Sequence, residues 1–294
     1  MELSIHGRGT KMLRNLGLFS KISFGWLTLM LFFAIAGPLL PIPDPTAFSD
    51  VSGAGLFTPG HLLGTDLNGY DLFANIVIGS RNSLFIAIIS VGLGGLIGGI
   101  LGIAAGYLRG KTDYVLTVFF NIFLSIPNLI LSLVLIAVLA TSSDPTQTVA
   151  DGRRIVVIII SLTIVIVPIL GRITRGSTLA WSNTEFVVAA KSMGMKDLMI
   201  IKRHIIPNVL PSIYAVAFLA VGIVIVVEGA LSLLGIGVGQ GISWGSMLAR
   251  SQGDLEYAPT SLFVPLTFLA FTVIACNQVG DSLRQRLDSR ESKL

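Results

Sequence analysis

Few side chains in this sequence can do acid–base, ligand or recognition chemistry, and they fall in three places. Glu228 sits in the apolar run "IVIVVEGALSLLG". Asp66, Asn68 and Asp71 crowd the stretch "HLLGTDLNGYDLF". Residues 184–211, "TEFVVAAKSMGMKDLMIIKRHIIPNVLP", set Glu185, Lys191, Lys196, Asp197, Lys202, Arg203 and His204 between two apolar runs. A carboxyl within hydrocarbon is costly and points to a coupling ion, a cationic substrate group or a neighbouring helix. The Asp/Asn cluster lacks the order of a calcium loop, and Val77 stands where such a loop needs its final Glu. It reads as a turn-rich loop packed on helix mouths. His6, His61 and His204 are too scattered for a metal site, and Cys276, the sole cysteine, can form no internal disulfide.

The elements that position these residues must live in a bilayer. The chain is 53% hydrophobic and 12% charged, with a mean hydropathy of +0.83, against about a quarter charged in a soluble domain. Six apolar stretches approach or exceed the roughly 20 residues of a membrane helix: 22–40, 83–107, 114–140, 155–171, 211–236 and 261–280. Hydrocarbon offers no partner to a free backbone N–H, so each span is expected to be helical. Six spans place all Lys and Arg on one side except Arg81, Arg153, Arg154 and Arg250. That asymmetry makes both termini and the 184–211 segment cytoplasmic. It also accounts for the basic pI of about 9.4 without nucleic acid, because the charges lie in short segments beside the membrane. Ala34-x-Ala36 resembles a signal-peptidase site, but the polar region before it is long and the apolar run continues to Leu40, so a retained anchor is expected.

The resulting division is a cytoplasmic tail (1–21), a first membrane helix (22–40) and an external loop (41–82). A core of five helices (83–281) and a cytoplasmic tail (282–294) follow. Within the core, Gly94, Gly98, Gly102 and Gly106 recur every fourth residue, with Gly95 and Gly99 beside them. The run has neither the G-x-G-x-x-G register nor the Lys-Ser/Thr of a nucleotide loop. It reads as a face for close helix packing. Pro127 and Pro168 each remove one hydrogen bond from their spans, giving kinks of a packing or cavity-shaping kind.

The charged segment carries helix signals. Ser182-x-x-Glu185 has the form of a capping box and predicts a helix starting near Asn183. Phe186, Ala189, Ala190 and Met193 then share one face, and Gly194 can turn the chain. A second short helix sets Leu198, Ile201 and Ile205 opposite Lys202 and Arg203, before Pro207 and Pro211 start the fifth span. The segment over 182–210 is thus an amphipathic helix–turn–helix. It could lie on the bilayer surface or act as a knob docking in a partner's groove.

"EFVVAAKSMG" followed by "HIIPNVLP" resembles the EAA loop of ABC-transporter permeases. More narrowly it resembles the C-type permease subunits of the oligopeptide/dipeptide (and nickel) ABC importer family. "LGTDLNGYDLF", "ALSLLGIG", "SWGSML" and "NQVGDSLRQRLD" extend the similarity over nearly the whole chain. Tyr70 stands where the family has Arg, "GVGQGIS" lacks its paired prolines, and Asp288 is followed by Ser rather than Pro.

The resemblance implies an all-α polytopic permease of the bacterial inner membrane. It implies a homologous permease partner, two cytoplasmic ATPase subunits, and an external substrate-binding protein. Glu185, Ala189, Ala190 and Gly194, with Phe186 and Met193 beside them, would form the ATPase-coupling helix. No catalytic residue or cofactor is expected in this chain, ATP and Mg being held by the ATPases. Short peptides are the expected cargo, with nickel or another small solute as the alternative.

Residue chemistry points the same way. Secondary carriers need intramembrane polar groups for their coupling ion, and Glu228 is the only acid in the spans. A secondary carrier or channel remains as a rival reading, and a membrane-embedded enzyme would need clustered polar residues at depth. With the fifth span starting at Pro211, Glu228 lies about 25 Å along it. There it could line the translocation path or bond a neighbouring helix.

Overall fold

The computed structural model describes residues 17–140, 151–239 and 241–291. His6, Arg8, Lys11, Arg14, residues 141–150 and Lys293 lie outside the described residues. The described chain is helical, and its only β features are two isolated bridges, Thr58–His61 and Thr65–Asp71. The helices are α1 (Leu18–Ala36), α2 (Leu72–Leu108), α3 (Gly110–Leu124), α4 (Asn128–Ala140) and α5 (Asp151–Ser182). Then come α6 (Glu185–Ser192), α7 (Asp197–Ile200), α8 (Ile206–Leu233), α9 (Trp244–Arg250) and α10 (Pro259–Glu291). Five helical segments are long and apolar enough to cross a membrane, and the bent pair α3–α4 makes a sixth if taken as one span.

α5 and α10 run well past the expected 155–171 and 261–280, and three other expected spans differ in shape. α2 begins at Leu72, not 83, because Asp71 caps it, its Oδ1 accepting from Ala74 N at 2.7 Å. Its first turns are covered by protein rather than lipid: Trp244 Nε1 donates to the Ile76 carbonyl and Trp244 N to Ser83 Oγ. The expected 114–140 span bends by 91° between Leu124 and Asn128. Pro127 lacks an N–H and disfavours helix in the residue before it, so the ladder ends there. Pro168, by contrast, is absorbed inside α5.

The fifth span starts not at Pro211 but at Ile206, and no break separates it from α7. A π turn, Ile201–Ile205, joins them, with the Ile206 N–H bonded to the Ile201 carbonyl. Pro207 has no N–H for the Arg203 carbonyl, and a widened turn relieves the ring's crowding against it. Asn208 Nδ2 donates to the His204 carbonyl at 2.6 Å.

α2 and α5 form the centre. Side-chain carbon added at Gly98 would lie 2.5 Å from the Val167 carbonyl oxygen and 2.9 Å from Gly171 N. At Gly106 it would lie 2.7 Å from Thr178 Cβ. The glycine ridge therefore sets backbone against backbone, where small residues let membrane helices gain dispersion contact. α1 packs on α10, with Trp26 between Phe268 and Phe271 and its Nε1 donating to Thr272 Oγ1 at 3.0 Å.

The loop before α2 is tied by side chains. His61 bridges Ser49 Oγ (2.9 Å) and Asp71 Oδ2 (2.8 Å), so the residue that caps α2 also anchors the loop. Asp66 Oδ1 accepts the N–H groups of Asn68 and Tyr70. Burial pushes the Asp66 carboxyl above its ordinary range, opposed by the Tyr70 N–H and by the charge of Arg250. Asp66 and Asp71 thus spend their carboxylates on a turn and a cap, with Asn68 contributing its backbone N–H to the turn.

Candidate functional site

Two features stand out: the α6–α7 hairpin and a groove beside it. α6 starts at Glu185 after Thr184, not at a Ser182 capping box. Ser182 is the last residue of α5, with its Oγ donating to Leu179 O, and Thr184 Oγ1 donates to Trp181 O at 2.7 Å. Both hydroxyls are thereby taken up by the preceding helix.

α6 ends in a Schellman motif. Met195 N donates to Ala190 O (3.1 Å) and Gly194 N to Lys191 O (3.0 Å), with Gly194 at φ +81°. Glycine suits that conformation because it has no Cβ to strain. Among the described residues, nothing lies within 4 Å of where a Gly194 side chain would begin.

The face expected from periodicity is split. Phe186, Ala189 and Met193 are exposed, together with Glu185 and Gly194, but Ala190 is buried. Val187 and Ala190, three apart, point inward. In α7 the residue turned inward is Ile200, fully buried, whereas Leu198 is 78% exposed. Val187, Ile200, Ile205, Val209 and Ile213 form a small core of their own, against which Ile103, Tyr107, Trp181 and Met195 pack. The hairpin is thus a built unit on the end of α2 rather than a floating loop. Its outer surface carries Phe186, Val188, Met193, Leu198 and Met199, an apolar patch edged by Lys191, Lys196, Lys202 and Arg203. An apolar patch rimmed by charge is the usual form of a docking surface. Val188, Leu198 and Met199 were not legible as members, since neighbouring positions are equally apolar.

The groove, about 620 Å³, runs between α2 and α8. Ile88, Gly92, Gly95, Gly99 and Ile103 line one wall, and Ile206, Leu210, Tyr214, Ala217 and Val221 the other. Gly94, Gly98, Gly102 and Gly106 meet α5, Gly92 and Gly99 open this groove, and Gly95 borders both, an added carbon there lying 3.3 Å from Leu170 of α5. The groove's second wall follows the hairpin directly through the π turn.

Glu228 is elsewhere. It is 1% exposed and does not line the groove. Its Oε1 accepts from Ser232 Oγ (3.0 Å) and Ser243 Oγ (2.9 Å). Ser243 also caps α9, accepting from Ser246 N at 3.0 Å. Among the described residues Oε2 has no hydrogen-bond partner. A side chain at Gly245 would meet that oxygen at 2.9 Å, so "SWG" brings α9 flush onto α8 through a glycine. Arg250 at the far end of α9 bonds Asn75 Oδ1 at 2.9 Å and lies over the Tyr70 ring. Glu228 is therefore placed to fasten α9 to α8.

Comparisons with known proteins add the following. Residues 98–293 match the family described as the binding-protein-dependent transport system inner membrane component. An oligopeptide transport system permease protein OppC of Haemophilus influenzae is 34% identical over 90% of this chain and 81% of its own. The OppC protein of Bacillus subtilis is 32% identical over 91% and 84%. A dipeptide transport system permease protein DppC of Alkalihalophilus pseudofirmus is 30% identical over 92% and 86%. Among solved structures, a chain of the MetNI methionine ABC transporter superposes with a TM-score of 0.59 at 21% identity. It covers 72% of this chain and 95% of its own, a likeness of fold.

Proposed function

The chain belongs to the binding-protein-dependent transport system inner membrane components, and from that premise we propose that it forms half of the path by which an ATP-driven importer carries short peptides. It is a multi-pass transport permease rather than a catalytic subunit. The exposed hairpin is the feature that carries the reading. A charged-rim apolar knob on an otherwise membrane-embedded chain needs a cytoplasmic receiver, and two ATPase subunits holding ATP and Mg supply it. Glu185, Phe186, Ala189, Met193 and Gly194 would make the contact, with Ala190 supporting it from beneath. The 620 Å³ groove would close against a homologous permease subunit to form the path, fed by an external binding protein. Cargo follows the names of the relatives. The distribution of Lys and Arg supports cytoplasmic termini, and the tail, loop and core boundaries at 21, 40 and 281 belong to the same proposal, the loop ending at Asp71 before α2 rather than at 82.

Purification of the tagged full-length chain from its native membrane tests this. A second permease and ATPase chains should co-purify, and proteoliposomes should take up tritiated tripeptides only with ATP. Uptake by this chain by itself without ATP would overturn the proposal in favour of a secondary carrier.

Glu228→Gln should leave uptake and complex level unchanged within about twofold, since the acceptor oxygen for both serines is kept. Glu228→Ala should lower complex level, because two buried hydroxyls lose their acceptor at a cost of about 1–3 kcal/mol. Impaired uptake of peptides with a free amino terminus, at normal complex level in the Gln variant, would instead return Glu228 to the path.

A further inference from the structure

The junction between α2 and α3 holds a backbone outlier that packing does not explain. Arg109 has φ 56° and ψ −163°, a region that only glycine occupies without strain. Its side chain is committed nevertheless: Nη2 donates to Asn183 Oδ1 at 2.5 Å and to Ser182 Oγ at 3.2 Å. Those two residues are where α5 hands the chain to the hairpin. Two residues earlier, Tyr107 Oη donates to Asp197 Oδ1 at 2.7 Å, at the start of the hairpin's second limb. Four residues later, Asp113 pairs with Arg175 of α5 through two hydrogen bonds.

Three polar ties therefore leave one seven-residue stretch and grip the hairpin's second limb, the junction that leads into its first, and the helix that feeds it. We propose that Arg109 is a positioning residue that clamps the hairpin to the α2–α3 junction, so that hairpin displacement also moves α3. Exposed hydrogen bonds of this kind are individually weak. A non-glycine residue held in a glycine conformation at the one point where its side chain reaches Asn183 is what distinguishes a clamp from a chance surface contact. The proposal rests on the hairpin's role in coupling, and it gives α3 a second connection to the hairpin besides its packing on α5.

Arg109→Gly is the discriminating variant, because it relieves the backbone while deleting the clamp. If Arg109 only filled a turn, the variant would be as stable as the parent or more so, and fully active. The purified complex should carry a nitroxide on Ser192→Cys, an exposed position outside the docking patch, in Arg109→Gly, Asn183→Ala and double-variant backgrounds. Label mobility should rise in either single variant and no further in the double. Tripeptide uptake per ATP hydrolysed should fall by about tenfold in all three while thermal stability is kept. Unchanged mobility in both single variants, or additive effects in the double, would overturn the clamp. If the parent complex takes up no tripeptide, the cargo reading fails and the label measurement still decides the clamp.

Discussion

Gly98→Leu is expected to remove the assembled protein from the membrane. The first side-chain atom alone would sit 2.5 Å from the Val167 carbonyl oxygen and 2.9 Å from Gly171 N, and neither is a flexible side-chain end. α2 and α5 would have to part along their length, because Gly94, Gly102 and Gly106 rest on the same ridge. Overpacking that repacks side chains costs about 1–3 kcal/mol. Here backbone must move, so the loss should reach the upper end or exceed it, against a total stability of about 5–15 kcal/mol for a typical domain. Gly25→Leu is the control, since nothing among the described residues lies within 4 Å of its added carbon. Detergent-solubilised monomer measured by fluorescence-detected gel filtration should be nearly absent for Gly98→Leu and normal for Gly25→Leu. Equal yields would show that α2 and α5 are not held by this ridge.

Gly194→Trp should abolish uptake while leaving the chain in the membrane. The φ of +81° strains any L side chain by about 1–2 kcal/mol, which the hairpin's own core can absorb. The larger effect comes from space. The open surroundings of Gly194 are where an ATPase would close, and an indole there would hold it off. Gly194→Asn separates the two effects, since Asn tolerates the left-handed region and adds little bulk. The Asn variant should keep most uptake and the Trp variant none, with co-purified ATPase following the same order. Normal uptake and co-purification in the Trp variant would remove the hairpin turn from the coupling contact.

Much of this architecture was legible because apolar length and glycine spacing act locally. The existence of the spans, the packing role of the Gly94–Gly106 ridge and the turn at Gly194 follow from what single residues can and cannot do. The misreadings share a cause, which is competition between local signals and neighbours in space. Ser182 and Thr184 look like caps, yet both hydroxyls bond back into α5. The second span is expected from 83, but protein covers residues 72–80, so α2 starts at Leu72 and runs through Arg81 and Asn82. Tyr107 and Arg109 carried no sign of their partners Asp197 and Asn183, because each pair meets across more than 70 residues of chain.

α7 turns a different face inward from the one its periodicity predicts, and the π turn supplies the reason. Each residue advances an α-helix by about 100°, so a turn that closes on the fifth residue instead of the fourth inserts one step of phase. Reading a 3.6-residue period through 201–205 puts Leu198 in register with Ile205. The extra step puts Ile200 there instead, five residues away, and Leu198 rotates outward to 78% exposure. The azimuth of the docking patch relative to the groove is therefore set by a count of residues rather than by any one side chain. Substitutions within 201–205 leave that count untouched, whereas deleting a single residue would turn α7 by about a quarter of a revolution about the α8 axis. Chemistry within the segment acts on the core at Ile205 and on the rim at Lys202 and Arg203, but only length sets the azimuth.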